Sequence, residues 1–391
     1  MKIPLVSGFL EDDVYEQKLN DKFMNEVICN EDHFYHRIAK ALSTKNIEPI
    51  VYYMSMEKSE KKFIHKYGHS IIRVPARKIN FLHEPIIYSS NLIKNLREDF
   101  KICNFVSGYY IMYKIPDMFD YTVFKLNKEM PIIARWAGGN HNWLAPIRKS
   151  IKKASLQRCD KILVSSLEEI KILKNIFDIE NNKIEHIVNP IDLEVFKKRD
   201  KKIAAEKILM NPDFQYLLFV GRLTKNKGIE LLLEVFNEIN LQFQNIKLII
   251  IGDGPLINFI KNFIKKYNLE EKIILTGRLN HEKTCYYYNI ATAFVNTGHS
   301  AGLPNVIIES IASNTPTITT DVGASKEYIN EKSHNGLLIN PGNKNELKNA
   351  IKTILENEKK FKNMDNEVMK KFSYENFADK MTSIYSELLK K

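Results

Sequence analysis

Cysteine is scarce in this chain: 391 residues contain only four, and they are widely separated. Cys29, Cys103, Cys159 and Cys285 form no Cys-x-x-Cys pair and show no spacing typical of a zinc site. We therefore expect reduced thiols in a cytoplasmic protein, and no metal bound by cysteine.

Long hydrophobic runs are also missing. The run Ile3–Leu10 has eight residues, lacks a strongly basic lead, and meets the acidic residues Glu11, Asp12 and Asp13. It is too short to span a membrane and makes a poor signal peptide. No other stretch approaches the roughly 18 uninterrupted apolar residues that a membrane span needs. The sequence thus predicts a soluble, cytoplasmic protein.

Acidic residues are outnumbered, and the formal net charge is +11. This excess favours an anionic partner such as nucleotide phosphates, nucleic acid or an acidic lipid surface. Diffuse charge is the other interpretation, and the tract Lys197–Lys202 supports it. No nucleic-acid module is recognisable, so we expect no nucleic-acid partner.

What the chain does contain is alternation of strands and helices, clearest in its second half. Short β-branched apolar runs there are followed by more polar segments with helical spacing, which is typical of buried parallel strands. The predicted strands are Tyr216–Val220, Lys247–Ile251, Lys272–Leu275, Ala293–Asn296, Thr315–Thr320 and Leu337–Ile339. The helices between them include Ile229–Ile239, Ile257–Tyr267 and Asn345–Leu355. The pattern predicts an α/β fold with a doubly wound parallel sheet.

The first half repeats this alternation less cleanly. Its predicted strands are Lys2–Val6, Pro49–Met54, Ser70–Val74, Ile102–Val106, Pro131–Ala134, Lys161–Ser165 and Ile184–Val188, and its predicted helices include His33–Ser43, Ile147–Gln157 and Leu167–Ile176. We place a boundary at Asn189-Pro190, which gives Rossmann-like domains at 1–189 and 190–372 that face each other across a cleft. The segment 373–391 has apolar residues at helical spacing and predicts a terminal helix that packs on the body.

Four motifs at strand ends carry the candidate chemistry, and the first is Val220-Gly221-Arg222 with Lys227-Gly228. Glycine allows a close approach of the backbone. Arg222 can bind phosphate oxygens in a bidentate manner, and Lys227 adds a point charge. The helix that follows would direct its positive N-terminus toward the same site. Taken alone, the motif is also compatible with a solvated basic turn.

The second motif, Gly252-Asp253-Gly254-Pro255, is a turn at a strand end, and a structural turn and a nucleotide contact are equally compatible with it.

The fourth motif, Asp321-Val322-Gly323-Ala324-Ser325, begins another helix. Its backbone could meet a sugar or phosphate, whereas Glu327 in the first turn could equally serve the helix dipole.

The third motif runs from Gly298 to Glu309, as a glycine-containing loop that enters a helix. Such a loop presents backbone N–H groups to an anion. Glu309 lies about one turn inside the helix, where its carboxylate can accept hydrogen bonds from two ribose hydroxyls. The alternative is a capping or solvated glutamate.

In this order and at these intervals, the four motifs resemble those of the group 1 (family 4-like) retaining glycosyltransferases of GT-B architecture. The resemblance covers about residues 216–355, and each motif is specific only as part of the ordered set. It implies a nucleotide-diphosphate sugar donor, transfer to an acceptor hydroxyl with retention, and no metal or other cofactor. Segment 372–375 and the helix after it resemble the part that crosses back onto the N-terminal domain in that family.

The resemblance also implies roles for individual residues. Arg222 and Lys227 match the diphosphate-binding pair, and Glu309 matches the ribose-binding glutamate. With the catalytic candidate His141, the implied site comprises Gly221, Arg222, Lys227, Gly252, Gly254, Ala301, Gly302, Leu303, Pro304, Asn305 and Glu309.

Two positions depart from the family pattern. Ala301 stands where relatives carry the first glutamate of an E-x7-E pair, which leaves the donor sugar open. Ala137 stands at the position of a family histidine, and His141 could substitute for it or be an ordinary loop histidine.

The sequence of the predicted acceptor-binding domain, residues 1–189, is less informative. The resemblance implies a glycan or a lipid-linked acceptor. His33, His36 and Arg37 could face the cleft or solvent. The basic helix Ile147–Arg158 could touch an anionic membrane at the inner face, or it could be a solvated helix face.

Two functions are compatible with this pattern. A binding or scaffolding protein on the same fold would explain Ala301 and Ala137, whereas the retained Arg222, Lys227 and Glu309 favour an enzyme. A dehydrogenase or epimerase lacks support, because neither a G-x-G-x-x-G turn after the first strand nor a Walker lysine loop is present.

Overall fold

The computed structural model describes residues 1–10, 20–81, 84–109, 117–136, 146–299, 303–329, 334–361 and 366–390. Contacts divide the chain into two compact units. Unit 1 comprises Met1–Pro190 together with Tyr374–Lys391, and unit 2 comprises Ile191–Ser373.

Unit 1 is built on an eight-stranded sheet and a small hairpin. Its strands are β1 (Lys2–Leu10), β2 (Glu48–Ser55), β3 (Lys61–Ile64), β4 (Ser70–Pro75), β5 (Arg77–Phe81), β6 (Glu84–Tyr88), β7 (Cys103–Tyr109), β8 (Ile132–Trp136), β9 (Lys161–Val164) and β10 (Ile184–His186). The sheet order is β10-β9-β8-β7-β1-β2-β4-β3, and β5 pairs with β6. All neighbours in the large sheet are parallel except β3 and β4, which are antiparallel.

The helices of unit 1 are α1 (Asp21–Glu26), α2 (Phe34–Ser43), α3 (Ser90–Asp99), α4 (Met118–Leu126), α5 (Pro146–Gln157), α6 (Leu167–Phe177) and, after the whole of unit 2, α15 (Tyr374–Leu389). Helix α6 begins where its sequence predicts, because Ser166 and Glu169 form a reciprocal capping box. The four cysteines of the whole chain are buried free thiols.

The terminal helix α15 packs against α2, as the sequence predicts for a helix that crosses back to the N-terminal part. Its apolar stripe includes Phe377, Met381 and Tyr385, which join the core formed by α2 and the sheet. Asn104 on β7 donates a hydrogen bond from Nδ2 to the Tyr385 hydroxyl at 2.7 Å. The C-terminal helix is thus an integral part of the unit 1 core.

Unit 2 is a six-stranded, fully parallel sheet. Its strands are β11 (Gln215–Val220), β12 (Ile246–Ile251), β13 (Ile273–Gly277), β14 (Ala293–Asn296), β15 (Thr317–Thr320) and β16 (Gly336–Ile339), in the order β13-β12-β11-β14-β15-β16. Strands such as β12 are apolar on both faces because helices cover both faces of the sheet.

The helices of unit 2 are α7 (Lys201–Lys207), α8 (Ile229–Asn240), α9 (Ile257–Lys266), α10 (His281–Ile290), α11 (Asn305–Ala312), α12 (Ser325–Tyr328), α13 (Lys344–Glu356) and α14 (Asn366–Lys371). Short 3-10 helices lie at Ile28–Asn30 and Asn181–Lys183 in unit 1, and at Lys225–Lys227 and Glu358–Phe361 in unit 2.

The predicted fold class, two doubly wound α/β sheets with a returning C-terminal helix, is confirmed.

Two expectations about surface residues are wrong. His36 and Arg37 on α2 face neither a cleft nor solvent, because both are buried inside unit 1. On α5, Lys152 is also buried, and its Nζ contacts the carboxylates of Asp117, at 2.6 Å, and Asp120. A buried amine is stable as a cation only when paired, so this lysine turns inward and cannot contribute to a membrane-facing surface.

Among the residues that the structure describes, no helix combines the length and the apolar character that crossing a bilayer needs.

Candidate functional site

The order of the strands in unit 2 fixes where a ligand can bind. Strand β11 lies between β12 and β14. From β11 the chain adds β12 and β13 on one side, and it then crosses over to add β14, β15 and β16 on the other side. In open α/β sheets, ligands bind outside the carboxyl ends of the strands at such a switch point. The loops that leave β11 and β14 meet there, and both carry residues that the sequence singles out.

The loop from Gly221 to Gly228 is fixed against the end of β14. Gly228 has φ of 67°, and a Cβ atom at this position would lie 2.3 Å from the carbonyl oxygen of Thr297. The Thr297 hydroxyl donates to the carbonyl oxygens of Lys227 at 3.1 Å and Gly228 at 2.8 Å. Only glycine permits this close approach, which sets the position of the Lys227 backbone just before α8 begins.

The turn after β12 is held against the same loop. Gly252 has φ of 141°, and a Cβ atom there would lie 1.9 Å from the carbonyl oxygen of Gly221. The Leu223 N–H donates to the Asp253 carbonyl oxygen at 2.9 Å. A Cβ atom at Gly254 would approach the Leu223 carbonyl oxygen to 2.7 Å. The structure therefore brings Gly221, Gly252 and Gly254 together at one edge of the sheet.

The two cations of the first motif differ in their surroundings. Arg222 is exposed, whereas Lys227 is half-buried. Burial lowers the pKa of Lys227, because the charged ammonium loses water contacts. An anion beside this amine would supply the missing stabilisation of its charge.

Residues 297–299 complete the described part of this edge of the sheet. The His299 N–H donates to the Asn226 carbonyl oxygen at 3.0 Å, and the Thr320 hydroxyl donates to the Gly298 carbonyl oxygen. A Cβ atom at Gly298 would lie 3.8 Å from the Cα atom of Lys227. The carboxyl ends of β11, β14 and β15 are thus cross-linked by hydrogen bonds.

Glu309 lies on α11, which begins at Asn305 directly after Leu303 and Pro304. Its side chain is buried, and the Tyr288 hydroxyl donates to its Oε2 atom at 3.2 Å. The imidazole Nε2 of His281 lies 3.9 Å from Oε1. Both partners belong to α10, so Glu309 is held by specific contacts and is not a solvated or capping residue.

The fourth motif forms a turn after β15. The Asp321 N–H donates to the Ile339 carbonyl oxygen at 2.8 Å, and the four-residue helix α12 follows at Ser325. Glu327 lies in the first turn of that helix, where a negative charge favours the helix dipole.

Four positions of interest lie outside the described residues: His141, Ala137, Ala301 and Gly302. The roles of His141, Ala301 and Gly302 and the effect of the two departures from the family pattern stay predictions.

Sequence patterns missed three residues that the structure adds to the site. Thr297 fixes the Lys227 loop, and Tyr288 and His281 contact Glu309. Thr297 directly follows a predicted strand, a position that could have identified it. Tyr288 and His281 lie on a helix with little amphipathic pattern, so only the fold reveals their contact with Glu309.

Residues 200–371 match the family described as "Glycosyl transferases group 1". A glycosyltransferase of Methanocaldococcus jannaschii described as uncharacterized is 31% identical over 250 residues, which is 62% of this chain and 65% of that protein. The N-acetylgalactosamine-N,N'-diacetylbacillosaminyl-diphospho-undecaprenol 4-alpha-N-acetylgalactosaminyltransferase of Campylobacter jejuni is 30% identical over 223 residues, 56% of this chain and 57% of that enzyme. The matches therefore span less than two thirds of these curated relatives.

Solved structures show the fold over nearly the full chain. Sucrose-phosphate synthase of Thermosynechococcus elongatus superposes with a TM-score of 0.75 at 18% identity, covering 100% of this chain and 99% of that one. HepE of Anabaena in complex with UDP gives a TM-score of 0.73 at 12% identity, covering 99% of this chain and 100% of that one. At these identities the likeness establishes the GT-B fold.

Proposed function

Because residues 200–371 are a group 1 glycosyltransferase region within a GT-B fold, we propose that this chain transfers a sugar from a nucleotide-diphosphate sugar to an acceptor hydroxyl with retained anomeric configuration. We assign donor binding to residues 190–372 and acceptor binding to residues 1–189. Residues 373–391 complete the acceptor-binding part. The observation that carries the proposal is the position of Lys227 at the switch point. Its loop, which follows β11, contacts the loop that follows β14.

The cations supply the catalytic contribution. Arg222 and Lys227 lie on one short loop, and Thr297 and Gly228 fix the position of Lys227. Negative charge builds on the diphosphate as the bond to the sugar breaks. Fixed positive charges stabilise that charge more than they stabilise the ground state. In this mechanism the two side chains assist departure of the nucleoside diphosphate.

Glu309 is proposed to bind the ribose. A buried carboxylate needs hydrogen-bond donors, and Tyr288 supplies one to Oε2. Carboxylate oxygens hold further lone pairs, which two ribose hydroxyls can use. The contacts from α10 thereby orient Glu309 for the nucleoside.

The donor and acceptor classes are inferred from the relatives. The HepE structure contains UDP, which favours a uridine nucleotide donor here. The name of the Campylobacter enzyme specifies a diphospho-undecaprenol-linked acceptor, which favours a lipid-linked saccharide in glycan or glycolipid synthesis. With such an acceptor, the protein would work in the cytoplasm at the inner membrane face.

A screen of UDP-, GDP- and ADP-sugars tests the proposal. Thermal shift first identifies a donor, and release of the nucleoside diphosphate then measures turnover with and without acceptor. Replacement Lys227→Ala should lower kcat about 100-fold or more, as loss of one preorganised charge-stabilising group does in other enzymes. The matched control is Lys225→Ala, which removes an exposed lysine from the same 3-10 helix.

The outcomes separate the two candidate functions. Equal turnover of Lys227→Ala and Lys225→Ala would refute the role of Lys227. Binding of a donor without any hydrolysis or transfer would favour a scaffolding protein on this fold, whereas no binding of any donor would refute both functions. Unchanged turnover in His141→Ala would remove His141 from the catalytic candidates.

A further inference from the structure

Three histidines of unit 1 converge far from the loops at the end of β11 in sequence. His36 lies on α2, and His65 and His69 lie in the turn between β3 and β4. All three rings are buried, with 0%, 1% and 5% exposure. One ring nitrogen from each lies within 4.8 Å of the other two. A buried polar side chain is the informative exception in a protein interior, and three lie together here.

The nitrogens of His36 and His65 divide into those that face the cluster and those that face protein acceptors. His36 Nε2 lies 2.9 Å from the Tyr53 hydroxyl, and His65 Nε2 lies 2.8 Å from the Glu31 carbonyl oxygen. Metal-binding imidazoles almost always hold their second nitrogen by such a hydrogen bond. Nδ1 of His36 faces His69, whereas Nδ1 of His65 accepts the Tyr67 N–H at 3.2 Å.

His69 faces His36 with its other nitrogen. Its Nε2 lies at a hydrogen-bond distance of 2.9 Å from His36 Nδ1, and a small separation of the rings would reach the roughly 3.3 Å between two imidazole ligands of a tetrahedral zinc ion with bonds of about 2.05 Å. Its own Nδ1 is buried and, within the described part of the chain, has no hydrogen-bond partner. The nitrogen of His69 that faces His36, and that an ion would use, is Nε2.

Burial favours the neutral form of the three imidazoles, which is the form that binds metal. Beside the cluster, the carboxylate of Asp32 pairs with Lys66 at 3.1 Å.

We propose that His36, His65 and His69 bind one divalent transition-metal ion of the zinc class. Three imidazoles suit such an ion, and a water molecule would complete the tetrahedral set of four ligands. The ion joins α2 to the β3–β4 turn and is structural. It differs from the proposed donor site in both location and role.

Binding requires one local adjustment. The rings of His36 and His65 stack with centroids 3.9 Å apart and planes 10° apart, and His65 Nδ1 accepts the Tyr67 N–H at 3.2 Å. An ion in the plane of both rings needs His65 to rotate and to give up this long hydrogen bond. The exchange is favourable because metal–nitrogen bonds replace one weak contact.

The test uses the full chain without an affinity tag rich in histidine. After chelation and dialysis, the protein receives Zn²⁺ and is dialysed again, and metal per chain is measured by elemental analysis. Wild type should retain one zinc ion and gain several degrees in Tm over the chelated protein. With Co²⁺ in place of Zn²⁺, the visible absorption should show the intense bands of a tetrahedral site.

Two variants and a control make the result specific. His69→Ala should retain no zinc, and Tyr53→Phe, which keeps all three rings, should bind zinc about 10–100-fold more weakly. His334→Asn changes an exposed histidine of unit 2 at a φ of 49° that asparagine tolerates, and it should retain one ion. If His69→Ala fails to fold, Tyr53→Phe and the wild-type stoichiometry still decide.

The proposal is overturned if wild type retains no zinc. It is equally overturned if His69→Ala and wild type retain the same amount, because the metal then binds elsewhere. The three rings would in either case be a hydrogen-bonded cluster only.

Discussion

At the scale of single residues, burial sets the surroundings of the two charged side chains that we propose bind the donor. Lys227 is half-buried, and its pKa is lowered because its ammonium group has lost water. Glu309 is buried as well, but the Tyr288 hydroxyl compensates part of its charge. A bound diphosphate would stabilise the ammonium charge of Lys227, so ligand binding would relieve a cost already present in the folded protein.

The lowered pKa of Lys227 gives a prediction about pH. A lysine with a lowered pKa loses its proton at a lower pH than an ordinary lysine, so donor binding should weaken on the alkaline side as the charge disappears. In Lys227→Arg the guanidinium keeps its charge, and this alkaline loss should vanish. The Kd of the donor measured from pH 7 to 10 tests this, and identical alkaline limbs in both proteins would contradict it.

Tyr288 should act through Glu309. Replacement Tyr288→Phe removes the hydroxyl that donates to Oε2, and a hydrogen bond to a charged group is worth about 1.5–3 kcal/mol. We expect KM for the donor to rise about tenfold or more with a smaller change in kcat, because the ribose contact is made in both ground and transition states. Tyr287→Phe on the same helix is the control. A change in kcat alone would argue against this role.

At the scale of elements, the loop before α8 depends on one glycine. Gly228→Ala forces a side chain into the left-handed region and toward the Thr297 carbonyl oxygen, which a Cβ atom would approach to 2.3 Å. Gly342→Ala is a matched control, since its φ is 76° and a Cβ atom there meets nothing within 4 Å.

The control should lose only the backbone term of about 1–2 kcal/mol. Gly228→Ala should lose more and should also weaken donor binding, because Lys227 must shift. Calorimetry and the donor Kd measure the two effects. Equal losses in both variants would show that the contact with Thr297 is unimportant.

The elements themselves could largely be predicted from sequence. Strands such as β12 and β14 are continuous apolar runs bounded by turn residues, and the structure confirms them at 246–251 and 293–296. Helix α10 was missed because its sequence, His281–Ile290, is not clearly amphipathic. The β5–β6 hairpin pairs two strands that are adjacent in the sequence. It was missed because that sequence lacks a turn signal such as Asn-Gly.

The candidate site could be predicted only in part. Glycine and cation spacing pointed to the loops, because backbone geometry there requires particular residue types. Contacts between distant segments, such as Tyr288 with Glu309 or His36 with His69, leave no spacing signal in one sequence. The inward position of Lys152 could not be predicted either, since its partners are Asp117, which caps α4, and Asp120 on α4.

At the scale of the whole molecule, unit 1 is assembled from both ends of the chain. Tyr385→Phe tests how much the returning helix contributes. The Asn104 Nδ2 group would lose its acceptor in a buried environment, which should lower the free energy of unfolding of unit 1 by about 1–3 kcal/mol.

Both tryptophans of the chain, Trp136 and Trp143, lie within the range Met1–Pro190, so their fluorescence in a urea titration follows unit 1. Ser386→Ala, at an exposed neighbouring position of α15, should leave the transition unchanged. A transition of Tyr385→Phe that coincides with wild type would mean that this hydrogen bond contributes no net stability.

The division of unit 1 between the two ends of the chain also has a consequence in time. During synthesis at about 5–20 residues per second, the 183 residues of Ile191–Ser373 take roughly 10–40 s to emerge after Pro190. Unit 2 can be complete on the ribosome while the surface of α2 that will receive α15 is still uncovered. The part of the chain made first therefore completes its core last. During that interval the apolar face of α2 stays exposed, and α15 can dock only if chaperones protect this face or if aggregation is slower than synthesis.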